Sequence, residues 1–156
     1  MKPRIRQAKT SDAAFIAGCN SRLALETERL RLDPARVASG VTALLKNPAR
    51  GVYFIAEHDG APAGQVLVTY EWSDWRNGNF WWVQSVYVVE KFRGYGVFRA
   101  LFEHVEALAR SRKDVCGLRL YVASHNSRAQ EVYARTGMKK TNYQVFETEF
   151  VLNPGA

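Results

Sequence analysis

The chain is poor in the residues that would staple it or load it with metal. It has two cysteines, Cys19 and Cys116, too few for a disulfide framework. Each lies in an apolar stretch and reads as a small core residue. His58, His104 and His125 are scattered, and no Cys/His cluster has metal-ligand spacing, so no metal site is expected. No apolar run reaches the roughly 18 residues of a membrane span. The basic opening Met1-Lys2-Pro3-Arg4-Ile5-Arg6 is not followed by an apolar signal core, so the cytoplasm is the expected compartment. Basic residues occur in no run of five or more, and no reading-helix motif accompanies them, which argues against a nucleic-acid partner. There is no internal repeat, low-complexity tract or linker. The 156 residues are expected to form one domain over 1–156.

What the chain does have is positive charge, +7 overall, on an ordinary globular composition with 47% apolar residues. That balance favours acidic partners, including a polyphosphate. Arg4 to Ala8 reads as a short strand. Thr10-Ser11-Asp12 starts a helix that carries Ile16, Cys19, Leu23 and Leu30 on one face. Asp33-Pro34 starts a second helix, with Val37, Val41, Leu44 and Leu45 buried and Asn47-Pro48 as its stop. The period then changes to that of strands. Val52–Ala56, Gly64–Tyr70 and Phe80–Val89 are read as three of them, with a turn at Asp59-Gly60. A helix from about Val97 to Arg112, a strand over Leu118–Val122, a short helix over Ser127–Thr136 closed by Gly137, and a final strand over Tyr143–Val151 complete the order. The expected fold is α/β or α+β, with a mixed, mostly antiparallel sheet of about six to seven strands and helices on both faces.

The stretch from Val86 to Arg99 stands out. An apolar strand runs into Arg93-Gly94-Tyr95-Gly96, and the turn opens a helix with Val97, Leu101, Val105 and Leu108 on one side. The first N–H groups of a helix lack internal partners and carry partial positive charge. Arg93 adds a full charge, and Gly94 and Gly96 permit close approach to the backbone. This is a cradle for phosphate. A dinucleotide fingerprint does not fit, because position 99 is Arg, and no Gly-Lys-Ser/Thr marks a P-loop.

A second constellation, Asn126-x-x-Ala129-x-x-x-Tyr133-x-x-x-Gly137-Met138, follows at a strand-to-helix junction, with Ala129 and Tyr133 sharing a helix face. Here the chain resembles the GCN5-related N-acetyltransferase (GNAT) family. Arg93 to Phe98 occupies the places of its Arg/Gln-x-x-Gly-x-Gly/Ala motif, and Asn126 to Met138 matches Asn-x-x-Ala-x-x-x-Tyr-x-x-x-Gly-Phe. The opening Ile5-Arg6-Gln7-Ala8-Lys9-Thr10-Ser11-Asp12 and the order of elements also agree. The resemblance implies an acyl-CoA N-acyltransferase fold and acetyl-CoA as the acetyl donor to a small-molecule or peptide amine. It implies that amides of Gly94, Tyr95, Gly96, Val97, Phe98 and Arg99, with Arg93, hold the pyrophosphate. Tyr87 and Val88 would pair with the pantetheine arm, a backbone N–H at a bulge in that strand would polarise the acetyl carbonyl, and Asn126 would contact the donor or an ordered water. Tyr133 would protonate the departing thiolate, a task suited to a phenol that is protonated at neutral pH.

Three positions depart from the family pattern. Phe98 replaces the usual Gly or Ala, Glu90 stands where Pro is common, and Met138 replaces Phe. The Phe98 ring is expected to turn into the core beside Phe102 and Phe92, leaving its amide free. For the acceptor side, Glu26, Glu28, Glu71 and Asp74 are the candidate bases. Glu26 leads, since it lies one helical turn beyond Leu23 on an apolar stripe. Tyr70, Trp72, Trp75, Trp81 and Trp82 form a dense aromatic group. Core packing accounts for some of them, and the others suit an acceptor wall or a homodimer interface. Two other readings stay open: a non-catalytic acyl-CoA-binding or regulatory module on the same fold, which Phe98 would favour, and a basic nucleic-acid-binding domain.

Overall fold

The computed structural model describes residues 2–152, and these fall into two compact units divided between Leu120 and Tyr121. In the first unit, strand β1 (Arg4–Gln7) leads through a short 3-10 turn into helix α1 (Ala13–Glu28). The Arg6 guanidinium grips Asp12 through two bonds of 2.8 and 2.9 Å and reaches Glu57 at 2.6 Å, which fixes the start of α1 against the sheet. Helix α2 (Pro34–Leu45) begins as its sequence predicts. Asp33 accepts from the Ala35 amide at 2.9 Å and Pro34 takes the first helical position. Helix α1 stops at Glu28 because Arg29 turns left-handed (φ 56°), so Leu30 lies beyond it rather than on its stripe.

Strands β2 (Val52–His58), β3 (Ala61–Ser73) and β4 (Gly78–Val88) form an antiparallel meander. Asp59 and Gly60 make the first hairpin turn with positive φ at both residues, the geometry that matches strand twist. After helix α3 (Val97–Arg110), strand β5 (Val115–Arg119) returns parallel to β4. The sheet order is β1-β2-β3-β4-β5.

Both faces of the sheet are covered, which is why β2 reads as an unbroken apolar run. Tyr53, Ile55 and Leu67 pack with Ile16 and Val41 beneath α1 and α2. Phe54, Ala56, Val66, Val68, Trp81 and Val83 pack with Val97, Leu101 and Val105 of α3 on the other face. Cys19 is fully buried, as expected, and its burial pushes the thiol up to about 11.

The second unit holds helix α4 (Ser127–Arg135). Gly137 closes it in the left-handed conformation (φ 88°), and the Gly137 and Met138 amides donate to Ala134 O and Tyr133 O at 3.0 and 3.3 Å.

Two strand expectations need correction. The sheet has five strands among the described residues, not six to seven, and the strand read at Leu118–Val122 lies three residues earlier. The strand expected at Tyr143–Val151 forms no ladder, and Tyr143, Val145, Phe146 and Phe150 are 73, 70, 92 and 80% exposed. Alternation of side chains says which face a strand would bury. It does not supply the neighbour that a ladder requires.

Gly64 sets how closely β3, β4 and α3 approach. A methyl group there would stand 2.7 Å from Tyr87 O and 2.9 Å from Val97 Cγ1. Gly64→Ala is expected to cost about 1–3 kcal/mol of stability, read as a lower urea midpoint with an unchanged slope. A wild-type midpoint would show that the approach is looser than the structure has it.

Candidate functional site

The site begins with an irregularity in β4. Gln65 of β3 faces Tyr87 and Leu67 faces Gln84, so Ser85 and Val86 together oppose a single residue of β3. Ser85 accommodates this bulge with a left-handed backbone (φ 48°). One extra residue reverses the alternation of the strand. Before the bulge, Trp81 and Val83 lie in the core under α3. After it, Val86 and Val88 take that face. Tyr87 is thereby turned to the side of α1, where its hydroxyl donates to Glu26 Oε1 at 2.8 Å.

Glu26 sits in the last turns of α1 and also accepts from Arg93 Nη2 at 2.7 Å. Arg93 Nε donates to Val88 O at 3.1 Å, and the guanidinium stands 5.6 Å from the Tyr87 ring centre. Residues 26, 87 and 93 thus meet in one cluster of the first unit. Burial opposes the Glu26 charge, but the Tyr87 and Arg93 hydrogen bonds outweigh it and hold the carboxyl below its ordinary 4.5. The Tyr87 phenol is pushed upward by burial and by that same carboxylate.

Beyond Val88 a 3-10 turn over Glu90–Phe92 leads to Arg93 and then to Gly94 (φ 89°) and Gly96 (φ 76°), both in the left-handed region that glycine tolerates. Among the described residues, no side chain caps α3 at Gly96, and a Cβ at either glycine would meet nothing within 4 Å. The Tyr95 amide donates to Phe92 O at 3.4 Å, and the first main-chain bond of α3 runs from the Ala100 amide to Gly96 O at 2.9 Å. The loop is anchored from below by buried His58, whose ring packs against Phe92 and Tyr95 at 5.6 and 5.2 Å. A cavity of about 280 Å³ adjoins it, lined by Lys2, Tyr95, Gly96, Arg99 and Glu103 among others. Arg99 is paired with Glu103 at 2.7 Å. Val97 is buried, and the Phe98 ring lies 6.0 Å from that of Phe102.

In the second unit Asn126 caps α4, its Oδ1 accepting from the Ala129 amide at 3.1 Å. Burial raises the Tyr133 phenol above its ordinary value, so it keeps its proton at neutral pH. Of the other acids, Glu71 accepts from Trp82 Nε1 at 3.0 Å and from Arg119 Nη1 at 2.7 Å. Asp74 caps the Trp75 amide at 2.9 Å, and Glu28 is exposed. Trp81 is a core residue, whereas Tyr70, Trp72 and Trp75 are exposed.

Sequence reasoning singled out Glu26 and the glycine turn. It named no position for the bulge, although the shift of apolar residues from 81 and 83 to 86 and 88 is visible in the chain. Without a placed bulge, nothing in the sequence shows that Tyr87 turns toward Glu26.

The family model that matches residues 22–138 is described as the acetyltransferase (GNAT) family. A solved possible acetyltransferase from Clostridium difficile 630 superposes with a TM-score of 0.90 at 38% identity, covering 97% of this chain and 99% of that one. A ribosomal-protein-alanine N-acetyltransferase from Brucella melitensis biovar Abortus 2308 shares the fold with a TM-score of 0.75 at 19% identity, over 95 and 99% of the two chains. An aminoglycoside N-acetyltransferase in complex with CoA does so with a TM-score of 0.77 at 17% identity, over 95% of each chain. No curated protein matches the sequence.

A carboxyl whose pKa is depressed by folding stabilises the fold above its ordinary value and loses that contribution as the pH falls through the folded one. Glu26→Gln is thus expected to lower the Tm at pH 7 by up to about 3 °C, since so exposed a pair is worth under about 1 kcal/mol. The difference from wild type should close as the pH falls below the ordinary 4.5 and through the lower folded value. A gap persisting at lower pH would locate the effect in packing rather than charge.

Proposed function

The chain belongs to the acetyltransferase (GNAT) family, and from that premise we propose that it is an enzyme that moves an acetyl group from acetyl-CoA to a primary amine by direct attack in a ternary complex. The observation that carries this reading is the continuity of β4, its bulge, the open glycine turn and the uncapped start of α3. A phosphate cradle follows directly on a strand whose main chain is displaced from regular pairing.

In this reading the amides from Gly94 to Arg99 hold the pyrophosphate with the charge of Arg93, and the main chain of Tyr87 and Val88 pairs with the pantetheine arm. The amine nitrogen attacks the acetyl carbon, a C–N bond forms, and the C–S bond breaks. Tyr133 gives its proton to the departing thiolate, for which its raised pKa is suited. The amine's proton passes to Glu26 directly or through water. The negative charge of Glu26 draws a cationic amine toward the site, while its depressed pKa makes it a modest base. Asn126 contacts the donor beside its capping role.

The acceptor is a small-molecule or peptide amine. The aminoglycoside and ribosomal-protein enzymes named above are of both kinds on this fold. Exposed Tyr70, Trp72 and Trp75 either wall the acceptor or meet a second copy of the chain. We further place the protein in the cytoplasm as a single acetyltransferase domain over 1–156. No helix among the described residues is long and apolar enough to cross a membrane. The binding-only alternative drew on Phe98 crowding the cradle. Its packing beside Phe102, with open space at both glycines, supports acyl-CoA binding, which both readings require.

The test is thiol release from acetyl-CoA with kanamycin, spermidine and a peptide bearing an N-terminal alanine. Release should depend on an amine, and Tyr133→Phe should lower kcat about 100-fold with little change in KM. Acetyl-CoA binding without amine-dependent release would favour a binding module. Release that ignores either the amine or the substitution would count against the mechanism.

A further inference from the structure

Opposite the bulge, Gln65 of β3 is wholly buried on the α1 side of the sheet. Its Nε2 donates twice, to Asn20 Oδ1 at 2.7 Å and to the main-chain oxygen of Ser85 at 3.2 Å. Asn20 in turn donates from Nδ2 to the buried Tyr53 hydroxyl at 3.1 Å. A polar chain therefore runs from β2 through α1 to β3 and ends on the strained residue of β4. The other end of the amide, Gln65 Oε1, is buried and has no hydrogen-bond partner among the described residues. An orphaned acceptor costs stability, and a methionine would occupy similar space without it. The amide's value to the structure lies in what it donates.

The donated bond fixes a peptide plane. All peptide bonds among the described residues are trans, so the Ser85 C=O and the Val86 N–H point in opposite directions. Gln65 holds the Ser85 oxygen toward β3. The Val86 N–H is thereby turned away from Gln65, at a point where the ladder between β4 and β5 has already ended at Trp82 and Arg119. We propose that Gln65, braced by Asn20 and Tyr53, is a positioning residue that locks the Ser85–Val86 peptide so that its N–H is aimed at the acyl carbonyl. The inference rests on the acetyl-transfer reading. When the amine attacks, the carbonyl electron pair moves onto oxygen, and a donor already held in place stabilises that charge without reorganising. The left-handed backbone at Ser85 is the strained part of this arrangement, and the buried chain is what over-determines it.

The test reads the carbonyl itself and needs no acceptor. Acetyl-CoA labelled with carbon-13 at the carbonyl is bound to the full chain, and its stretch is followed by isotope-edited infrared difference spectroscopy, with affinity measured by calorimetry. Wild type should move the band to lower frequency than in free acetyl-CoA. Gln65→Met should lose roughly half of that shift or more while the Kd stays within about threefold, and should lower kcat at least about tenfold with an amine that turns over. Asn20→Ala should lose part of the shift, and it decides the matter by the same band if Gln65→Met does not fold. An unchanged band in the folded variants overturns the assignment and leaves acetyl transfer standing. Failure of wild type to bind acetyl-CoA removes the acetyl-transfer reading, and this inference with it.

Discussion

One extra residue in β4 governs the geometry of the first unit. Side chains alternate strictly along a strand, so a single insertion exchanges inside and outside for everything that follows. Without it, Tyr87 would point into the α3 core and Val86 and Val88 toward α1. With it, an apolar pair completes the core on one face and a phenol meets a carboxylate on the other. The cost is a left-handed serine, Ser85. The surrounding structure sustains that cost because both faces of the sheet are packed, and a relaxed backbone there would unseat one of them.

Charge is distributed around this geometry with little waste. Glu26 lies near the C-terminus of α1, where the helix dipole disfavours a carboxylate. Arg93, which is 67 residues distant in sequence, offsets that penalty, and the Tyr87 hydroxyl adds a second bond. The same arginine introduces the glycine turn, so the end of α1 and the start of the cradle are tied by one guanidinium. An excess of basic residues over the chain then suits a polyanionic ligand without any continuous basic tract.

Much of this was legible before any coordinates. Helix starts followed from Asp33-Pro34, and the helix stop at Gly137 from the one residue type that turns left-handed freely, because caps are local chemistry. Glu26 was singled out as an acid on an apolar stripe; it is exposed, and it accepts two hydrogen bonds from other elements. Gln65 and Asn20 were not found. Nothing near either residue in sequence distinguishes a buried amide from an exposed one, since their partners lie on other elements. The strand expected at 143–151 failed on the same ground: local alternation carries no information about a distant partner.

The hairpin of β3 and β4 has one further property. All four tryptophans of the chain, Trp72, Trp75, Trp81 and Trp82, lie within it. Trp72 and Trp75 are solvated, Trp81 is buried, and Trp82 holds the Glu71 carboxylate. Intrinsic fluorescence in this protein is therefore a local gauge. Trp75, 85% exposed, is nearly as solvated in the folded chain as in the unfolded one, so most of the change in the signal belongs to the more covered indoles. An unfolding curve taken this way follows the centre of the sheet.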